Sequence, residues 1–146
     1  MPRVTGLDGR TYQWNFCRRT VTEDQTRGKS SPHLLVRDLL RRLFPYETRL
    51  EEVRLPGSGG LTADFYLPSK KLMVEAHGRQ HFEFVPYFHT DQLGFLKAHQ
   101  RDLQKQNWCE RNDIAYCALP DDESSSQWEY RLRHCRLDDD EIPPEG

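Results

Sequence analysis

No apolar run in this chain approaches the ~20 residues that a bilayer-spanning helix needs. The start of the sequence, Met1-Pro2-Arg3-Val4-Thr5, lacks the apolar stretch of a secretory signal. An intracellular, cytoplasmic protein with no membrane partner is therefore expected. Of the four cysteines, Cys17, Cys109, Cys117 and Cys135, no two stand in a CxxC or CxxxxC spacing. That argues against a structural zinc site. An intracellular chain of this size needs no disulfides, so the cysteines read as reduced thiols. Positive charge is not in excess either: 21 Lys and Arg face 23 Asp and Glu, for a net charge of −2. Apolar residues are sparse at 36%. The 146 residues can supply one core but not two.

The charge is unevenly spread. From Pro120 onward there are nine acidic residues against three Arg, a net of −6, which leaves the first 119 residues at +4. A mildly basic body with an acidic tail is compatible with phosphate binding. A solvated charged surface fits the same numbers.

Three segments emerge along the chain. Residues 1–30 hold a hairpin and a basic loop. Leu7-Asp8-Gly9-Arg10 is a strong turn signal, the hairpin is expected over 3–17, and Arg18, Arg19, Arg27 and Lys29 follow it. Residues 31–119 form the expected core. Ser31-Pro32 opens a helix with a capping Ser and Pro at the first helical position. Leu34, Leu35, Leu39, Leu40 and Leu43 make its apolar face, with Arg37, Arg41 and Arg42 outside it, and Pro45 ends it near Phe44. Strands are expected at 49–55, 61–67 and 72–76, the last nearly all apolar and so central. A helix over 92–112 and a strand over 114–119 follow, the strand able to run parallel to an earlier one. Residues 78–91 read as irregular and aromatic. The remainder, 120–146, is an acidic extension with a short helix over 127–136 and a disordered ending. A helix, an antiparallel meander and a late strand make an α/β (α+β) fold.

The chemistry concentrates in Ala63-Asp64-Phe65-Tyr66-Leu67 and Val74-Glu75-Ala76-His77-Gly78-Arg79-Gln80-His81-Phe82. Asp64 lies in one hairpin strand and Glu75 near the end of the next, so the two carboxylates can meet at one edge of the sheet. Hard oxygen ligands at converging positions suit Mg²⁺ (or Mn²⁺), which takes one or two carboxylates and keeps several waters. A carboxylate in an apolar strand is costly unless it is paired or metal-bound. His77, two residues after Glu75, shares its face if the strand continues. A histidine near a metal-bound water can act as general base or acid. The bland alternatives are a strand-edge Asp64, an ion-paired Glu75, and Gln80, His81 and His89 as loop anchors. For Lys97, Arg101 and Lys105, which share a helical face, the alternatives are a solvated surface or a phosphate track. Trp14, Trp108 and Trp128 read as core residues, and His99 and His134 as solvent-facing.

Asp-Phe-Tyr-Leu-Pro, a short connection, Val-Glu-x-x-Gly-x-Gln-His-Phe, and then a helix with Arg101-Asp102-x-x-Lys105 and Trp108-Cys109 resemble the PD-(D/E)XK nucleases. The similarity is greatest to the very-short-patch-repair-like branch with its phage and homing endonucleases, and it spans roughly residues 31–119. The resemblance implies a restriction-endonuclease-like central mixed four-stranded sheet flanked by helices. It also implies Mg²⁺-dependent phosphodiester cleavage and DNA as substrate, in the host cytoplasm if a phage encodes the chain. Asp64 matches the first metal-binding aspartate and Glu75 the acidic residue of the second half-motif. The usual lysine two positions later is His77 here, where the phage branch often has Asp. His77, His81 and Lys105 are all candidates for the general base. His33 stands where the branch often has Glu early in the first helix, and Glu51 or Glu52 could supply that carboxylate instead. Lys29, Arg79, Gln80, Lys97 and Arg101 are the expected DNA contacts. A homodimer or larger assembly would suit an enzyme this small that cuts both strands. The competing expectation is a nuclease-like fold that no longer cuts and serves as a DNA-binding or assembly module. An HNH-type enzyme is disfavoured because the ββα-metal spacing is missing.

Overall fold

The computed structural model describes residues 3–14, 31–77, 92–120 and 122–135. Lys29, Arg79, Gln80, His81 and His89 lie outside the described residues, as do Cys17 and the acidic ending. Of His77 only the backbone is described.

The elements follow the sequence pattern closely. A hairpin of β1 (Arg3–Thr5) and β2 (Thr11–Gln13) comes first, paired antiparallel around the Asp8-Gly9 turn. Helix α1 (Ser31–Leu43) precedes β3 (Leu50–Arg54), β4 (Thr62–Leu67) and β5 (Leu72–His77). Helix α2 (Gln92–Arg111), β6 (Ala115–Pro120) and α3 (Ser125–His134) complete the order. Helix α2 stops where the backbone of Asp113 turns left-handed (φ 55°), a conformation Asp tolerates, and Ile114 N–H closes back on Cys109 O at 2.9 Å. Helix α3 begins two residues earlier than the sequence suggests. Ser124 and Gln127 form a reciprocal capping box there, which fixes the start.

Strands β3, β4, β5 and β6 form one mixed sheet in that order. The first two pairings are antiparallel, and β5–β6 is parallel, with α2 as the crossover. The fold is thus an α+β mixed four-stranded sheet with three helices and an N-terminal hairpin. Two apolar layers sandwich the sheet. Val4, Trp14, Leu50, Val53, Tyr66, Met73, Trp108 and Cys109 join the hairpin and α2 to one face. Val36, Leu39, Leu40, Phe65, Leu67, Val74, Leu119, Trp128 and Leu132 join α1 and α3 to the other. All three tryptophans are core residues. Trp14 packs at 4.5 Å from Tyr66 and 5.0 Å from Trp108, and its indole N–H donates to Arg54 O at 2.9 Å.

One expectation about α1 is corrected. Leu35 is 61% exposed, whereas His33 and Arg37 are buried together with Val36 and Leu40. Residues 33, 36, 37 and 40 share one helical face. The buried stripe tolerates a histidine and an arginine because β3 presents Glu51 to them. Among the described residues, Cys109, Cys117 and Cys135 are free thiols. No helix among them is long and apolar enough to cross a membrane.

Candidate functional site

Strands β4 and β5 pair as Leu67–Leu72, Tyr66–Met73 and Phe65–Val74. The next step of that register would set Asp64 opposite Glu75. Side chains take over there. The backbone N–H of Asp64 donates to Glu75 Oε2 at 2.8 Å, and the N–H of Ala76 donates to Asp64 Oδ2 at 2.9 Å. Beyond this point, among the described residues, β5 pairs only with β6, through Glu75–Ala118, Ala76–Leu119 and His77–Pro120, while β4 pairs with β3 through Ala63–Val53 and Thr62–Arg54. The sheet forks, and the two carboxylates sit in the fork.

Glu75 is 1% exposed. Lys105 reaches it from α2, with Nζ 2.5 Å from Oε1. Burial pushes the Glu75 carboxyl up to about 8, the negative charge of Asp64 adds to that, and the Lys105 ammonium opposes both. Among the described residues the fork holds two carboxylates and one ammonium, which contacts Glu75, so it is one positive charge short when both acids are ionised. Asp64 is half-buried, and its second oxygen, Oδ1, has no hydrogen bond to a described residue. These features fit a divalent cation: two oxygen-bearing side chains converge, one oxygen is available, and the local charge favours a cation. Among the described residues no group of three or more His, Cys, Asp and Glu forms a metal cage. Magnesium does not require one, since it retains most of its water.

Two further groups surround the fork. Asp102, one turn before Lys105, is buried. Tyr116 on β6 keeps its phenol neutral: burial pushes its pKa far up, and the charges of Glu75, Asp102 and Asp64 push it further. The sequence pattern includes Asp102 without giving it a role, and it gives no reason to select Tyr116. The signal available was positional. Tyr116 pairs with Met73, two residues before Ala118, the partner of Glu75, and its side chain packs with the same face of the sheet.

The expected helical row of cations divides. Lys97 and Arg101 are exposed, whereas the Lys105 side chain is only 16% exposed and turned to Glu75. His99 and His134 are exposed as read.

The first-helix position resolves differently from the branch pattern. His33 Nε2 lies 2.7 Å from Glu51 Oε1, and Arg37 donates to the same oxygen at 2.9 Å. Burial works against the charge on Glu51. Hydrogen bonds from His33 and Arg37 outweigh it and hold the carboxyl below its ordinary range. The His33 ring stacks on Phe65 with centroids 4.4 Å apart. His33 and Glu51 are thus engaged with each other on the α1 side of the sheet. Glu75 meets Lys105 on the α2 side.

The chain is similar to three viral proteins. It is 36% identical over 64 residues to "Uncharacterized protein 307L" of Invertebrate iridescent virus 6, covering 44% of this chain and 32% of that protein. It is 33% identical over 79 residues to "Uncharacterized protein 094L" of Frog virus 3, covering 49% and 51%. It is 28% identical over 96 residues to "Uncharacterized protein 033L" of Invertebrate iridescent virus 3, covering 65% and 49%. The chain thus spans between about a third and a half of the length of these curated relatives. No family model matches the chain, and no solved structure does.

Proposed function

We propose that the chain is a magnesium-dependent DNA endonuclease core of the PD-(D/E)XK type, hydrolysing phosphodiester bonds. The observation that carries this reading is the fork itself. Asp64 and Glu75 stand side by side where β4 and β5 part, with the ammonium of Lys105 against Glu75. Asp64 and Glu75 would hold Mg²⁺ or Mn²⁺. When bound, the ion would polarise a phosphoryl oxygen and lower the pKa of its water. Lys105 Nζ donates a hydrogen bond to Glu75 Oε1, and its positive charge would stabilise negative charge developing on a phosphate at the fork. The apolar walls of β5 and α2 exclude water from Glu75, which strengthens each of these electrostatic effects. Lys97 and Arg101, on the exposed side of α2, are suited to backbone phosphates.

A second reading is a module of the same fold that binds DNA without cutting it. It is motivated by Glu51, which is held by His33 and Arg37 on the α1 side of the sheet and adds no carboxylate to the fork.

The deciding experiment is cleavage of supercoiled plasmid in Mg²⁺ or Mn²⁺ by the wild type, Asp64→Ala and Glu75→Ala. Metal-dependent nicking that disappears in both variants supports the enzyme. A folded wild type that leaves plasmid and branched DNA intact but still retards them on a gel favours the second reading.

A further inference from the structure

Glu52, in the middle of β3, has φ +51°, the left-handed region that side-chain-bearing residues rarely adopt. Its effect is visible on both strands. Leu50 and Val53, three apart, both enter the core around Trp14, and so do their partners on β4, Tyr66 and Ala63. Strict alternation would put each of these pairs on opposite faces. Between them, Glu51 and Phe65 are paired and face α1. The two strands therefore change face together at Glu52 and Asp64. At that same step the Asp64 N–H turns to the Glu75 carboxylate.

Helix α1 grips both strands one residue from this kink. His33 and Arg37 hold the Glu51 carboxylate, and the His33 ring lies on Phe65, the chain neighbour of Asp64. Glu51 is 3% exposed and its carboxylate is bound by two groups of a helix that is itself packed into the sheet, so it has little freedom to move.

We propose that Glu51, clamped by His33 and Arg37, is a positioning residue for Asp64. It fixes the β3–β4 kink that sets the Asp64 carboxylate beside Glu75. The inference rests on the reading of Asp64 and Glu75 as metal ligands and adds to it how the pair is held. It also assigns a use to His33, which serves the kink and not the metal.

The test uses the full chain with two readouts: Mn²⁺ affinity by titration, and hydrogen exchange at the Asp64 and Ala76 amides, which reports position with no metal present. Glu51→Gln keeps the size of the side chain and removes its charge. Glu52→Val disfavours the left-handed backbone, and Glu52→Gly permits it while removing the same side chain. The expected result is Mn²⁺ affinity reduced roughly tenfold or more in Glu51→Gln and Glu52→Val. Amide protection falls in both, Glu52→Gly resembles the wild type, and circular dichroism remains native. If Glu51→Gln fails to fold, the Glu52 pair decides alone. Unchanged amide protection and unchanged Mn²⁺ affinity in Glu51→Gln and Glu52→Val would overturn the proposal. A wild type that binds no Mn²⁺, with protection still lost in the variants, would leave the positioning role standing and remove the metal reading.

Discussion

Lys105 on α2 and Glu75 on β5 meet at 2.5 Å, thirty positions apart in the chain. The contact joins the crossover helix to β5, the strand it follows in the chain, and it sets the only described cation of the fork against its most buried acid. Glu75 could not sit at 1% exposure as an isolated charge. The ammonium supplies half of what two neighbouring carboxylates need. A bound divalent ion would supply the rest.

The first prediction concerns pH. The Glu75 carboxyl is pushed up to about 8 by burial and by Asp64, from an ordinary 4.5. Between those values the native state binds more protons than the unfolded chain, so stability without metal falls as pH rises from about 4.5 towards 8. Glu51 acts in the opposite sense: its lowered pKa gives stability that is lost as pH drops below 4.5. Thermal melts in chelator should therefore peak on the mildly acidic side of neutral. Mg²⁺ selects the ionised acids and should raise the melting temperature more at pH 8 than at pH 5. A metal-free melting temperature that climbs steadily from pH 5 to pH 8 contradicts this assignment.

The second prediction concerns Lys105. Lys105→Ala removes the cation and leaves two acids facing each other in a largely buried setting. Breaking such a pair costs about 3 kcal/mol, or a melting temperature lower by on the order of 10 °C for a chain of this size. Plasmid nicking should fall at least about a hundredfold, the scale of losing one preorganised charge at a reacting phosphate. Adding Glu75→Gln to Lys105→Ala should recover part of the stability and none of the activity. Denaturant melts of the two single variants and the double variant give the coupling directly.

Much of this arrangement was legible in the sequence, for identifiable reasons. Asp64 and Glu75 stood out because carboxylates are unusual beside strand residues as apolar as Phe65 and Val74. The parallel β6 followed from its place after a helix. What escaped was set by tertiary pairing. The apolar periodicity of α1 pointed to Leu35, yet His33 and Arg37 are buried in its place, because the acid that hydrogen-bonds both of them lies on another element, eighteen and fourteen residues away. The kink at Glu52 carries no glycine or asparagine to announce it. The separation of Lys105 from Lys97 and Arg101 depends on the drift of a row spaced by four around a 3.6-residue helix.

The third prediction concerns the hairpin. Asn112, just past α2, accepts from Thr5 N–H at 2.7 Å and donates to Thr5 O at 3.0 Å, so its amide replaces a neighbouring strand for β1. Its Nδ2 also donates to Trp108 O at 2.8 Å. Asn112→Ala strands these partly buried groups and should cost about 2 kcal/mol. Hydrogen exchange should locate the loss at Thr5, with the Asp64 and Ala76 amides unaffected. If nicking declines as steeply as stability, the hairpin contributes to the fork and is not only a covering layer.

The fourth prediction separates a phosphate track from a solvated face. Lys97 and Arg101 are exposed on α2, whereas Lys105 is turned inward. If both exposed cations contact backbone phosphates, Lys97→Ala with Arg101→Ala should flatten the plot of log affinity against log salt by about 2, since each neutralised phosphate contributes a slope near 0.9 on duplex DNA. The measurement is fluorescence anisotropy with a labelled duplex, on an Asp64→Ala background so that the probe stays intact. Affinity should weaken by a similar factor on unrelated duplex sequences, because phosphates carry no base identity. Stability should barely move, as expected for exposed side chains away from the core. An unchanged salt slope would mean that the two side chains are merely solvated, and that the DNA lies across a different face of the fork.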